Sequence, residues 1–260
     1  MRNMMYHFVG QAEELKGIDF DGFCQQLDYL ENKYSADGVA LTFDHGTIDH
    51  IEIVAPELER RGLRGIFFIL TMIPEELRVP SIDKQRFLEA DFRLQLARML
   101  CDELYIDYEP EQARDYLSAY SFYSLEERYL RYLRDQFIPP RVYDSVIGTM
   151  FEKAFGDEKS FCMKHYLGWH HIYQLHKRGH VIGSHSHYHW GDKADYSRSL
   201  QLIDAVLGQK TRLVSYPNGF KRITDDELRD LEVETAYISS EPGMDPFRAG
   251  RADCNQFSMD

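Results

Sequence analysis

Residues 39–46 read VALTFDHG, a run of β-branched and apolar residues that ends in an aspartate, a histidine and a glycine. Such a run predicts a buried strand, because branched and aromatic side chains pack well on a pleated surface. Most runs of this kind in the chain are followed by helical periodicity, as in residues 47–62, and this alternation predicts a parallel α/β sheet or barrel. The other clear runs are GIFFIL at 65–70, HVIG at 180–183, RLVSY at 212–216 and TAYIS at 235–239.

The size and the charge of the chain limit its architecture and its partners. With 260 residues, of which 43% are hydrophobic, it can bury the core of one large domain or of one domain with an elaboration. Its formal net charge of -13 repels polyanions. We therefore expect neither nucleic acid nor an anionic membrane surface as a partner.

The cysteine spacing excludes two kinds of site, and the amino terminus and the lengths of the apolar runs indicate the cellular location. The four cysteines lie far apart with no Cys-x-x-Cys pair, which argues against a zinc ribbon and a dithiol redox site. The first residues, MRNMMYHFVGQAEELKG, lack the basic-then-apolar pattern of a signal peptide. No apolar run approaches the roughly 20 residues that a membrane-spanning helix needs. We expect a cytoplasmic protein with no membrane span.

One long segment breaks the alternation of strands and helices. Residues 74–164 read as consecutive helices, with Pro139 and Pro140 as punctuation, whereas 1–73 and 165–260 carry the predicted strands. We interpret 74–164 as a helical insertion subdomain. Two roles are open for it: a cap that only packs or forms a homo-oligomer, and a lid that contributes substrate contacts.

A cluster of histidines follows the strand predicted near residue 180. His185, His187 and His189 stand within five residues, directly after an apolar run and Gly183. On a helical turn, His185 and His189 would share one face, whereas in an extended segment all three rings would point the same way. Either geometry brings at least two imidazoles to one point, so the cluster predicts a metal site.

A second group of candidate ligands follows another predicted strand. Asp44 and His45 end the run at 39–46, and the carboxyl ends of parallel strands converge at one rim, where α/β folds assemble their sites. The alternative interpretation is that Asp44 caps a helix and His45 lies on the surface. If the rim interpretation holds, these two side chains complete the site that the histidine cluster begins.

Four motifs together resemble those of the polysaccharide deacetylase family, the NodB-homology carbohydrate esterases. TFDHG at 42–46 resembles T-F-D-D-G, and GHVIGSHSHYH at 179–189 resembles G-H-x-I-G-x-H-(S/T)-x-x-H. RGLRGIFFI at 61–69 resembles the second-strand segment of the family, and VSYPNG at 214–219 resembles its proline-glycine motif. The resemblance covers most of 4–73 and 165–219. It implies a distorted (β/α) barrel of the deacetylase type, with 74–164 as an insertion that matches nothing in the family.

The resemblance assigns roles to the matching positions. Asp44 would be the general base, and His185 and His189 would be metal ligands. His45 stands where the family has a metal-binding aspartate, which implies three imidazole ligands, a set that suits Zn²⁺ among divalent transition metals. By alignment, the backbone N–H of Asn218 would stabilise an oxyanion. Read without the family, the stretch around Asn218 is a turn.

The resemblance also implies the reaction, the hydrolysis of an N-acetyl or N-formyl group on an amino sugar in surface polysaccharide or glycan precursor synthesis. The partner would be an N-acetylated sugar, a glycan, or a nucleotide-linked or lipid-linked sugar. The arginine that starts the family's proline-glycine motif is replaced by Ser215. We expect Arg251 to orient Asp44 instead, the alternative being a surface arginine.

One expected residue is missing. The family's late Leu-x-His segment, whose histidine protonates the leaving amine, has no counterpart, because no histidine follows His189. His187, His50 or a second proton transfer by Asp44 are the substitutes considered. The gap motivates a second hypothesis, a metal-containing carbohydrate-binding or assembly protein with weak or no catalysis, and a third is a metal-dependent amidohydrolase acting outside sugar chemistry. We interpret most other histidines as structural: His7, His165, His170, His171, His176 and His180.

Overall fold

The computed structural model describes residues 2–10, 17–34, 39–92, 95–118, 123–239 and 245–257. Within these ranges, seven parallel strands form a closed barrel, in which each strand pairs with its neighbours in chain order and the last pairs with the first. The predicted (β/α) barrel is therefore confirmed. The strands are β1 (Arg2–Tyr6), β2 (Val39–His45), β3 (Gly65–Ile69), β4 (Val181–Ser184), β5 (Leu213–Ser215), β6 (Thr235–Ile238) and β7 (Ala249–Asp253).

The five predicted strands correspond to β2–β6, but the two strands that close the barrel, β1 and β7, were not predicted. β7 reads AGRAD and has no apolar run, so its sequence does not look like a strand. It forms because β1 and β6 offer open edges on both sides: Asn3 is in register with Arg251, and Tyr237 with Ala249. Barrel closure therefore depends on pairing rather than on local propensity.

The described residues divide into two compact units. One combines the part of the chain up to Arg78 with the part from Cys162 onwards and contains the barrel, and the other is Val79–Phe161. The outer limits of the predicted barrel domain, residues 1 and 260, lie outside the described residues. The helices of the barrel unit are Phe20–Lys33, Ala55–Arg60, Met72–Glu76, Trp169–Lys177, Lys193–Leu207 and Asp225–Asp230, and a π-helical turn at His50–Val54 leads into the second of them.

The second unit is built from helices. Their bounds are Ser81–Phe92, Leu96–Leu104, Leu125–Tyr132 and Pro140–Phe155, and a further helix, Glu158–His165, crosses the unit boundary. Phe87, Phe151 and Phe161 pack as an aromatic cluster, and the guanidinium of Arg131 pairs with Glu89 at 2.7 Å. A homo-oligomer contact and a lid both remain predictions for this unit.

The main apolar core lies between the strands and the helices around them, because it combines strand residues with helix residues such as Leu27 and Leu58. Tyr6, Phe43 and Phe67 form a stack, with ring centroids 5.2 Å and 5.0 Å apart. On β4, Gly183 leaves room for the ring of Phe68, because a Cβ at this position would lie 2.5 Å from it. Near the carboxyl ends of the strands, buried polar side chains build the candidate site: Thr42, Asp44, His45, Ser184, His185, Ser215 and Arg251.

None of the helices in the described ranges combines the length and the apolar character needed to cross a bilayer. The cysteines Cys24, Cys101, Cys162 and Cys254, which all lie in the described ranges, form no disulfide, and all except Cys24 are buried.

Candidate functional site

Three imidazoles meet at the carboxyl-terminal rim of the barrel. His45 ends β2 and His185 follows β4, and β3 lies between these strands with Ile69 in register with both His45 and Ser184. The backbone N–H of His185 donates to the carbonyl of Ile69 at 2.8 Å, which sets both histidines at one level. With His189, they offer ring nitrogens that all lie within 4.8 Å of one another.

The spacing of these nitrogens fits a small divalent ion. The Nε2 atoms of His185 and His189 are 3.2 Å apart. In a tetrahedral zinc site with Zn–N bonds of about 2.0–2.1 Å, ligand nitrogens are separated by about 3.3 Å. Both His45 and His185 are buried, so the donors are held by the protein rather than by solvent. The donor set and its geometry are therefore compatible with zinc.

The segment that carries two of these histidines is neither of the two predicted forms. Ser186 and His189 have φ values of 68° and 66°, so the segment is neither a helical turn nor an extended strand. His185 and His189 still converge. His187 does not join them, because its ring is hydrogen-bonded to Thr71 Oγ1 at 2.9 Å and to Glu76 Oε1 at 3.1 Å.

The unusual loop is held by one carboxylate that sequence reasoning missed. Asp195 is buried near the start of the following helix and accepts four backbone N–H groups, at 2.6–3.2 Å. These bonds satisfy amide groups that a loop with left-handed residues leaves without regular partners. The donors are His187, Tyr188, Trp190 and Gly191. Asp195 could not be predicted, because an aspartate a few residues after a histidine cluster forms no recognisable sequence pattern.

Asp44 forms a buried bidentate ion pair with Arg251. The two guanidinium nitrogens lie 2.7 Å and 2.8 Å from the two carboxylate oxygens, and the residues are 1% and 2% exposed. Burial by itself would raise the pKa of Asp44, but Arg251 and the imidazole of His185 hold this pKa well below its usual range. The alternatives of a helix-capping Asp44 and a surface Arg251 are therefore wrong.

Ser215 links the ion pair to the imidazoles. Its hydroxyl lies 2.6 Å from His185 Nδ1 and donates to Asp44 Oδ1 at 3.4 Å. With the serine proton directed at the carboxylate, the Nδ1–H of His185 donates to the serine oxygen and Nε2 is left with its lone pair. Ser215 was noted in the sequence only as a departure from the family motif. In the structure it orients a candidate metal ligand.

The buried imidazole of His185 predicts a pH effect on the metal-free protein. Burial lowers the pKa of His185 to about 3, whereas an unfolded histidine has a pKa of about 6.5. As the pH falls, His185 binds a proton in the unfolded chain before it does so in the folded protein. The free energy of unfolding should therefore fall as the pH drops from about 6.5 toward about 3. Chemical denaturation across this range measures the slope, and His185→Gln should make it shallower. An unchanged slope would contradict the burial effect.

Asn218 lies in a tight turn after β5, the strand that ends in Ser215. Pro217–Gly219 form a short helical turn in which Asn218 has φ 54° and Gly219 has φ 70°. The side chain of Asn218 is exposed. The turn expected from the sequence is therefore present, and the assignment of an oxyanion-binding amide to it stays a proposal.

His7, which the sequence interpretation grouped with the structural histidines, lies beside the candidate site. It directly follows β1, and its ring centroid lies 5.1 Å from that of His45. Burial raises the pKa of Asp44, and His7 is one of the groups that lower it, with a smaller effect than Arg251 and His185. Its position at the end of a strand would have been the signal, but β1 was not recognised as a strand.

Four further histidines, His50, His170, His171 and His180, have structural contacts. His50 is buried, and its Nε2 lies 2.7 Å from the carbonyl oxygen of His7. The rings of His170 and His171 are adjacent, but the backbone N–H of Gly168 donates to His171 Nδ1, which caps a helix. His180 accepts the backbone N–H of Gly65. Within the described ranges, the group of His45, His185 and His189 is the cluster compatible with a metal ion.

Comparisons with known proteins find similarity in structure but not in sequence. No protein-family model and no curated protein match the chain. The Streptococcus pyogenes deacetylase PplD, solved with acetate, is 14% identical, with 97% of this chain and 91% of that chain covered and a TM-score of 0.56. A de-N-acetylase from Aggregatibacter actinomycetemcomitans is 14% identical, with 96% and 93% covered and a TM-score of 0.54.

A third solved structure, a polysaccharide deacetylase from Bacillus cereus, is 11% identical, with 99% of this chain and 66% of that chain covered and a TM-score of 0.51. At sequence identities this low, structural similarity shows a shared fold and no more. The protein therefore has the fold of solved polysaccharide deacetylases, which is the fold that its motifs predicted.

Proposed function

We propose that this protein is a zinc-dependent hydrolase that removes an N-acetyl group, or an N-formyl group, from an amino sugar of a glycan or of a glycan precursor. The observation that carries the proposal is the meeting of three imidazoles beside a buried aspartate whose charge is held by an arginine. Two neighbours in fold, a deacetylase solved with acetate and a de-N-acetylase, favour the same chemistry.

Each residue of the candidate site has a distinct role in the proposed hydrolysis. His45, His185 and His189 would hold zinc, which, when bound, supplies a Lewis acid that polarises the acyl carbonyl and lowers the pKa of a water molecule. Asp44 would accept the proton of the attacking water, and its low pKa keeps it in the basic form at neutral pH. Arg251 fixes the orientation of that carboxylate through two hydrogen bonds.

The tetrahedral oxyanion needs donors that are already in place. We assign one of them to the backbone N–H of Asn218, in the turn after β5. The turn is positioned by its strand, because β5 also carries Ser215, which contacts both Asp44 and His185. An amide on a short, defined turn stabilises developing charge without rearranging during the reaction.

We further propose that His7 protonates the leaving amine. Of the substitutes considered, His187 is turned toward Thr71 and Glu76, and His50 is buried against the carbonyl of His7. His7 stands at the rim, next to the ring of His45 and near the charge of Asp44. The second hypothesis, a carbohydrate-binding or assembly protein with weak or no catalysis, was motivated by the missing general acid. If His7 is that acid, this reason for the hypothesis no longer applies.

Substitution of His7 tests this assignment. His7→Gln should lower the release of acetate from an N-acetyl sugar by about 10²–10⁴-fold, the usual contribution of a general acid. The loss should be much smaller for p-nitrophenyl acetate, whose leaving group needs no proton. His170→Gln, at an exposed position, is the matched control and should behave like the wild type. Equal losses on amide and ester would contradict the role of His7 as proton donor.

The hydrolysis itself is tested by substrate profiling of the zinc-loaded protein. A panel of N-acetylated monosaccharides, oligosaccharides, lipid-linked sugars and nucleotide sugars, with N-formyl analogues and ureides, should yield acetate or formate from at least one amino-sugar class. A chelator should abolish the release, and zinc should restore it. Activity confined to ureides would favour the third hypothesis. Full zinc occupancy without release from any member of the panel would refute hydrolysis.

A further inference from the structure

Two exposed aromatic side chains stand beside the loops that carry the candidate site. Trp190 directly follows His189 and is 57% exposed, and Phe220, 63% exposed, directly follows the turn of Asn218. The two loops touch, because a Cβ added to Gly191 would lie 3.1 Å from Pro217. Exposed aromatic side chains on loops that border a buried polar site are typical of a ligand-binding surface rather than of a core.

The indole of Trp190 is carried by a well-supported part of the loop. The backbone N–H groups of Trp190 and Gly191 both donate to Asp195 at 2.9 Å. The ring of Tyr188 lies against the indole, with centroids 4.7 Å apart and an interplanar angle of 35°. The orientation of the Tyr188 ring is fixed in turn, since its hydroxyl donates to Glu76 at 2.7 Å. An aromatic face ordered in this way loses little conformational entropy when a ligand stacks on it.

We propose that Trp190, backed by Tyr188, is a stacking platform for a neutral pyranose ring of a glycan chain, next to the acylated sugar in the site. The inference rests on the proposed function and names its substrate class. An indole offers a flat apolar face that suits the C–H face of a pyranose through dispersion and weak C–H contacts.

The platform predicts a preference among the substrate forms. A sugar with a neighbour in the chain can fill the site and the platform together, whereas a monosaccharide cannot. A nucleotide sugar carries phosphates that the net charge of -13 repels. The protein should therefore favour a neutral oligosaccharide or polysaccharide over a nucleotide-linked monosaccharide.

Tryptophan fluorescence tests the platform directly, because the chain contains two tryptophans and each can be left as the sole reporter. In zinc-loaded Trp169→Phe protein, short oligosaccharides of N-acetylglucosamine should change the emission of Trp190 in a saturable way. In Trp190→Phe protein, the emission of Trp169, whose indole N–H donates to Glu75, should not respond. A silent Trp190, or a response from Trp169 alone, would overturn the platform.

Affinity gives a second measurement. Calorimetry in an Asp44→Asn background, where turnover is suppressed, should show about tenfold weaker oligosaccharide binding for Trp190→Ala, with most of the affinity kept in Trp190→Phe. Zinc content is measured in each variant, and unchanged affinity at full zinc content would overturn the platform. If a substitution of Trp190 lowers the zinc content, the platform is judged by the fluorescence titration of Trp169→Phe protein, in which Trp190 is retained.

Acetate release by the wild-type protein separates this inference from the proposed hydrolysis. Release together with a silent Trp190 overturns the platform alone. A saturable response of Trp190 without release supports the platform and counts against the hydrolysis.

Discussion

Asp44→Asn is expected to reduce acetate release by about 10²–10⁴-fold, the range for loss of a general base, while zinc stays bound. The physical reason is that an amide cannot accept the proton of the attacking water, whereas the three imidazoles are untouched by the substitution. Acetate release and zinc content, measured on the same preparation, check both halves of this expectation. Near wild-type turnover would remove Asp44 from the mechanism.

The same substitution should also destabilise the protein. Asp44 and Arg251 form a buried pair, and removing one charge leaves the guanidinium without its partner in the barrel interior. The expected loss in the free energy of unfolding is about 3–5 kcal/mol, the cost of breaking a buried pair on one side. Denaturant unfolding of the metal-free protein measures this loss.

A double variant separates stability from catalysis. In Asp44→Asn combined with Arg251→Met, neither charge remains, so most of the lost stability should return. Acetate release should stay as low as in Asp44→Asn alone, because the proton acceptor is still absent. If the double variant regained turnover, the single variant would owe its inactivity to misfolding rather than to the missing base.

His185→Ala should abolish stoichiometric zinc binding. The wild-type protein, purified without chelator, is expected to contain about one zinc per chain, held by three imidazoles. Changes to residues that only orient a ligand typically cost about 10–100-fold in metal affinity, so loss of a ligand should cost more. Elemental analysis and competition with a chromogenic chelator measure occupancy and affinity.

Two comparisons make the zinc experiment specific. His187→Ala alters the same loop and the same residue type but should keep zinc, because His187 contacts Thr71 and Glu76 instead of the site. Ser215→Ala should give an intermediate result, about 10–100-fold weaker binding, since it removes the acceptor that orients His185. Full zinc occupancy in His185→Ala would refute the ligand assignment.

The sequence by itself was sufficient for the residues whose signal is local. A buried strand shows as a run of apolar and branched residues, and the residues that follow it necessarily lie at its carboxyl end. Asp44, His45, His185 and His189 could be proposed for this reason, because each stands at or just after such a run and parallel strands end at a common rim.

The tertiary structure decided which side chains support that site. Arg251 reaches Asp44 from 207 positions away along the chain, on a strand that has no apolar run of its own. Ser215 and Asp195 act through single hydrogen-bonding groups whose partners come from other elements. The predicted conformations of the histidine loop were wrong because Asp195 stabilises left-handed residues that local propensity disfavours. Contacts of this kind depend on strand register and barrel closure, and these are set by pairing between distant segments rather than by any one segment.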